Sequence, residues 1–200
     1  MQARSLTPTP AVIGQSYAWG PISATVLNPQ AVSTGEQNED SVVLLMSYGS
    51  TRFMFPGDID GTVEQVIVSS GTVITADVLK VAHHGSKYSS SASFLDAVKP
   101  ELAIISVGPN SYGHPAQETL DRLAAAGASA FRTDQWGTLV ITSDGQSVTM
   151  NLYRIFLPVA VQQEAPAPQP DLRITELSGT TTPEYVTIQN LGAGAQDMTG

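Results

Sequence analysis

The sequence contains no cysteine, which removes disulfide bridges, thiolate metal sites and thiol nucleophiles at once. Histidine occurs only at His83, His84 and His114, too few for a zinc centre built mainly from imidazoles. Any metal must therefore lean on carboxylates or on donors from another segment. Basic residues are scarce as well: nine Lys and Arg against eighteen Asp and Glu leave a formal net charge of −9, which argues against a broad electrostatic grip on nucleic acid or an anionic membrane. A local basic groove stays open. No apolar run approaches the ~18 residues that span a bilayer, and the opening MQARSLTPTP lacks the apolar core of a secretory signal. What is present is a globular complement, 42% hydrophobic over 200 residues, enough for one core and a small second module.

Along the chain, SVVLLMSY (41–48) and TRFMF (51–55) read as a β-hairpin turned at Gly49-Ser50. A helix-compatible stretch runs from Asp60 to Val68, with Val63, Val66 and Ile67 on one face. Strands and helices then alternate: strand ADVLKVA (76–82), helix SASFLDAVKP (91–100), strand ELAIISVG (101–108) and helix AQETLDRLAAAG (116–127). The last helix has Pro115 near its start, Glu118 and Arg122 one turn apart, and Gly127 as its stop. SAFRT, GTLVITSDG and QSVTMNLYRIF read as short strands, with Asp144-Gly145 a hairpin signal. The sum is a mixed α/β layer structure. At QQEAPAPQPD (162–171) the composition changes to that of an extended, semi-rigid linker. Beyond it LRITEL and EYVTIQN alternate like two half-buried strands, too few to fold alone.

Three chemical features each follow a predicted strand: Asp58 after TRFMFPG, His83-His84 after ADVLKVA, and Gly113-His114-Pro115 after ELAIISVG. In layered α/β folds the ends of neighbouring strands converge on one rim, so spacing alone suggests a shared site. A carboxylate and imidazoles from such a rim are donors that Zn²⁺, Mn²⁺ or Fe accepts, and a metal pair held there activates water for hydrolysis. Plainer roles compete with this one. Asp58 after glycine also suits a turn or a helix N-cap, His83 and His84 suit backbone hydrogen bonding at a strand end, and His114 suits loop packing. Ser86, Lys87 and the serines that follow suit either a phosphate-contacting loop or the polar start of a helix.

The series NEDSVVLLMSYGSTRFMFPGD, ADVLKVAHHGSKYSS, AIISVGPNSYGHP and FRTDQWGTLVITSDG resembles, in order and spacing, the C-terminal half of the metallo-β-lactamase-like domain of the DNA-internalisation competence proteins, over roughly residues 20 to 150. By that resemblance residues 1–158 are the C-terminal part of an αββα hydrolase sandwich, 159–171 a linker, and 172–200 the start of a lamin-tail domain, an immunoglobulin-like β-sandwich that is incomplete here. EYVTIQN and the D-x-T-G ending carry this last likeness. The resemblance makes Asp58 and His84 metal ligands, and His83 and His114 catalytic groups that contact the scissile phosphate or shuttle a proton. It gives Lys87 and Ser86 substrate contacts, and it makes Asn38, Ser41 and Asp134 structural.

The resemblance further implies two divalent metals, zinc or else Mn or Fe, in the complete protein. Its substrate would be a phosphodiester such as DNA, its place the cell envelope or the outside, and an envelope partner would bind through the lamin-tail module. The family's first metal motif, H-x-H-x-D-H, has no counterpart, since no histidine precedes His83. Either the chain is the rear portion of a longer gene product, inactive alone, or it is a degenerate homologue that presents a binding module. The short stretch before the hairpin points to the first. A small-molecule phosphodiesterase, such as a phosphorylcholine esterase, is the rival within the enzyme class.

Overall fold

A computed structural model describes residues 10–29, 35–153, 172–177 and 186–190. Its main sheet holds seven strands in chain order: β1 (Ser16–Trp19), β2 (Ile22–Asn28), β3 (Val43–Tyr48), β4 (Thr51–Phe55), β5 (Val78–Lys80), β6 (Leu102–Ile105) and β7 (Ser129–Arg132). The first four pair antiparallel, and β4 to β7 pair parallel. Parallel neighbours need a crossover. Here α1 (Gly61–Ser69), α2 (Ala92–Val98) and α3 (Gln117–Ala125) provide one for each step.

The alternation of side chains explains the layers. Met54, Leu79, Ala103 and Ile105 join Val63, Ile67, Phe94, Leu95 and Leu123 in a core between sheet and helices. Their chain neighbours Phe53, Val78 and Ile104 point the other way and pack with Leu139 and Ile141 of a second sheet. Both faces of the central strands are thus buried, which is why their sequences are continuously apolar. The second sheet is built on the hairpin β8 (Thr138–Ser143) and β9 (Val148–Tyr153), turned where Asp144 Oδ1 accepts hydrogen bonds from Gln146 N at 2.8 Å and Ser147 N at 2.7 Å. The same bonds hold the exposed Asp144 carboxyl below its ordinary value.

The two predicted distal strands are β10 (Leu172–Leu177) and β11 (Val186–Asn190), which pair antiparallel. β10 also pairs with β8, Leu172 opposite Ser143 and Ile174 opposite Ile141. A lone two-stranded ribbon is marginal, and this pairing gives it a sheet to extend. The expected linker at 159–171, the end of the strand in QSVTMNLYRIF and the D-x-T-G ending lie outside the described residues.

Several expectations change. β1 and β2 were not anticipated, although Ile22, Ala24 and Val26 alternate with Ser23 and Thr25. The strand expected over 76–82 is only three residues long and gives way to a 3₁₀ turn, Ala82–Gly85. After β7 the chain makes a short helical turn, α4 (Thr133–Trp136), before β8. On α1 the buried face is Val63, Glu64 and Ile67, and Val66 is exposed. Among the described residues, no helix is long and apolar enough to cross a membrane.

Candidate functional site at the ends of three parallel strands

β4 ends in Pro56-Gly57-Asp58. Gly57 sits at φ 61°, and a Cβ there would lie 2.9 Å from Ser41 Cβ, so both conformation and space call for glycine. Ser41 Oγ accepts from Asp58 N at 3.2 Å, while the Ser41 carbonyl accepts from Asn28 Nδ2 at 2.9 Å and Ser41 N donates to Asn38 O at 3.2 Å. These bonds tie the turn at Asn38–Ser41 to the Asp58 backbone and to Asn28. The N-cap of α1 is Asp60, whose Oδ1 accepts from Thr62 N at 2.9 Å and Val63 N at 3.3 Å. Asp58 is therefore not the cap.

The histidine pair forms the 3₁₀ turn after β5. His83 (φ 45°, ψ 47°) and His84 (φ 55°, ψ 19°) are both left-handed, a conformation that costs on the order of 1–3 kcal/mol per non-glycine residue and calls for outside support. His83 N donates to Gly57 O at 3.1 Å, and His84 Nδ1 donates to Ser106 O at 2.8 Å, past the end of β6. A carbonyl only accepts, so the proton is on Nδ1 and Nε2 turns toward Asp58, 4.0 Å from its Oδ1. Gly85 follows at φ 84°; its carbonyl accepts from Ala116 N at 2.9 Å, and a Cβ there would lie 2.6 Å from Pro115 Cβ. That close approach brings His114 in. Its ring meets His83 edge-on at 5.6 Å between centroids and stacks on Tyr112 at 5.9 Å and 22°. Burial, followed by the neighbouring His83 and His84, lowers the His114 pKa against an opposing pull from Asp58, which favours the neutral ring.

A buried network lies behind this turn. Glu64 is fully buried on α1, and its carboxylate accepts from the backbone N–H of Ser90 and, at 2.7 Å, of Ser91. Arg122 on α3 donates to the carbonyls of Ser90 (2.9 Å), Ser89 (2.8 Å) and Lys87 (3.0 Å) and to Thr119 Oγ1 (2.9 Å). The helix pair expected between Glu118 and Arg122 gives way to these loop contacts. Thr119 Oγ1 in turn donates to Ser86 O at 2.8 Å, and Ser89 Oγ to Ile59 O at 2.8 Å. Burial pushes the Glu64 carboxyl up, against the lowering pull of the Ser91 and Ser90 bonds and of Arg122. Glu64 was not singled out from sequence, and Arg122 only as the helix partner of Glu118. The one signal for Glu64 was a lone charge beside Val63 on a helix with no other charged residue.

The structure thus brings Asp58, His83, His84 and His114 to one rim. It does not place Ser86 there as a contact: that side chain is buried, and its hydroxyl accepts from Tyr88 N at 3.3 Å. Lys87 is exposed, with Nζ 5.0 Å from the Tyr88 ring centroid. Asp134 pairs with Arg132 at 2.6 Å. The metal expectation meets an incomplete donor set: among the described residues no group of three or more His, Asp or Glu could hold a metal ion. Asp58 and His84 alone form a two-donor pair, and His114 Nδ1 is buried without a hydrogen-bond partner. A metal site needs three or four protein donors, so these residues do not by themselves fit one.

No protein-family model matches the chain. A stretch of 129 residues is 38% identical to ComE operon protein 3 of Bacillus subtilis, covering 64% of this chain and 17% of that protein. Competence protein ComA of Neisseria gonorrhoeae is 35% identical over 127 residues, 62% of this chain and 18% of the relative. Recombination protein 2 of Haemophilus influenzae is 35% identical over 111 residues, 55% and 14% of the two chains. The chain is similar to competence proteins. It spans less than a fifth of the length of these relatives.

Proposed function

We propose that this chain is part of a phosphodiester hydrolase that serves DNA uptake at the cell envelope or outside it. The observation that supports this most is the convergence of Asp58, His83, His84 and His114 on the rim formed by β4, β5 and β6. Helices on one face of the main sheet and a second sheet on the other agree with the rear half of an αββα hydrolase sandwich. The likeness to competence proteins supplies the DNA context.

Asp58 and His84 would be the late donors of a divalent metal site, zinc or else Mn or Fe, completed by residues other than those described. Such metals, when bound, polarise phosphate and activate water. The chain's own residues do the rest: Ser106 O fixes the His84 ring, and beside it His83 would give the leaving oxygen a proton as the P–O ester bond breaks, with the neutral His114 ring contacting the phosphate.

Hydrolysis of a phosphodiester ester and of single-stranded DNA, with and without added Zn²⁺ or Mn²⁺, tests this on the chain and on any longer gene product that contains it. Asp58→Asn and His84→Ala are expected to abolish activity and metal uptake together. Metal-dependent hydrolysis untouched by both substitutions would overturn the reading. The incomplete donor set favours a second reading, a binding protein without catalysis, which predicts no hydrolysis by the longest gene product under any metal.

A further inference from the structure

Beside the Asp58–His84 pair lies a cleft of about 150 Å³ whose walls are His84, Val107, Pro109, Asn110, Tyr112 and His114. A cleft of that size has room for a planar ring system. Its one amide side chain is fully engaged. Asn110 Nδ2 donates to the carbonyls of Gly108 and His114, both at 2.9 Å, while Asn110 Oδ1 accepts from Tyr112 N at 3.1 Å and His114 N at 3.0 Å. One side chain therefore staples the whole loop. What it leaves exposed is the Tyr112 ring, 82% accessible and stacked on His114.

We propose that this cleft is a stacking subsite for one unpaired nucleobase of the phosphodiester substrate, held by Tyr112 and His114 next to the Asp58–His84 pair. The proposal rests on the phosphodiester reading of that pair and adds to it the class of group the substrate must carry. A large aromatic ring held in water by a pre-formed loop gains nothing for the fold, but it does gain by stacking on a flat partner. The walls contain no carboxylate, and two imidazoles face the space, so an uncharged planar ring is favoured over a quaternary ammonium group. A base still paired and stacked within a duplex cannot enter, which makes the substrate single-stranded at that nucleotide.

The test follows histidine and tyrosine ring protons by NMR in the full chain, whose three histidines keep the signals few. The probes are the dinucleotide thymidylyl-thymidine, its abasic counterpart, thymidine and phosphocholine. The dinucleotide is expected to shift the Tyr112 and His114 rings upfield, and the abasic compound to leave them in place. Tyr112→Ala, at an exposed position that folding does not need, should weaken dinucleotide binding roughly five- to a hundredfold, with Tyr112→Phe restoring it. Equal shifts from the abasic compound or from phosphocholine, no effect of Tyr112→Ala, or no binding of the dinucleotide would each overturn the subsite. Abasic dinucleotide shifting His84 alone would overturn the subsite while sparing the phosphodiester reading. Thymidine binding as tightly as the dinucleotide would support the subsite and remove the phosphate from that reading.

Discussion

Residues 86–91, which follow the histidine pair, are anchored by Glu64 and Arg122 from two separate helices, whereas residues 108–114, which line the cleft, are held by one side chain of their own, Asn110. The first loop sits on a buried carboxylate and a guanidinium spread over three carbonyls. The second carries no buried charge and exposes its aromatic ring. Ser90 in that loop is left-handed (φ 55°) and must be held against its own backbone preference, and the buried Glu64 and Arg122 bond its N–H and its carbonyl, at a cost in desolvation. A stapled surface loop needs only to keep its shape, and local amide hydrogen bonds suffice.

This contrast can be broken in order of size. Arg122→Ala should destabilise most, by about 2–3 kcal/mol in urea unfolding, because it strips three loop carbonyls and leaves Glu64 without its nearby cation. Gly85→Ala comes next at about 1–3 kcal/mol, since the new Cβ meets Pro115 at a positive φ. It should also shift the His84 and His114 ring signals, as the two loops part. Asn110→Ala should cost ~1 kcal/mol or less globally but speed amide exchange at Tyr112 and His114, leaving residues 86–91 protected. Matching exchange rates in the two loops would erase the distinction.

Acid titration sharpens the same contrast. Burial raises the Glu64 pKa, so folding favours its protonated form: that contribution is complete below the ordinary value of 4.5 and is lost as pH rises through the folded value. Wild-type protein, measured against Glu64→Gln, is therefore expected to lose stability as pH climbs from about 4.5. A gain instead would mean that the Ser90, Ser91 and Arg122 contacts outweigh burial.

Much of the fold was legible. The hairpin of β3 and β4, the alternation through β6 and α3, and the Asp144-Gly145 turn follow from local pattern and turn chemistry. The rim was legible too, because Asp58, the histidine pair and His114 each sit just past an apolar strand. Apart from the cap of α1, which is settled within its own first turn, a distant partner had overruled a local preference where the reading missed. Asp60, not Asp58, caps α1; Arg122 leaves its helix neighbour for loop carbonyls; Glu64, in a first turn where acids usually face water, is fully buried.

The sequence by itself determined the order of strands and helices and which residue types reach the site, since apolar period and glycine positions act within a few residues of themselves. Only the tertiary structure decided which of those residues face one another. The 4.0 Å approach of His84 to Asp58, the edge-on contact of His83 with His114 and the support beneath residues 86–91 join segments tens of residues apart. Contacts at that separation are set by how layers pack on both faces of one sheet, which no local pattern encodes.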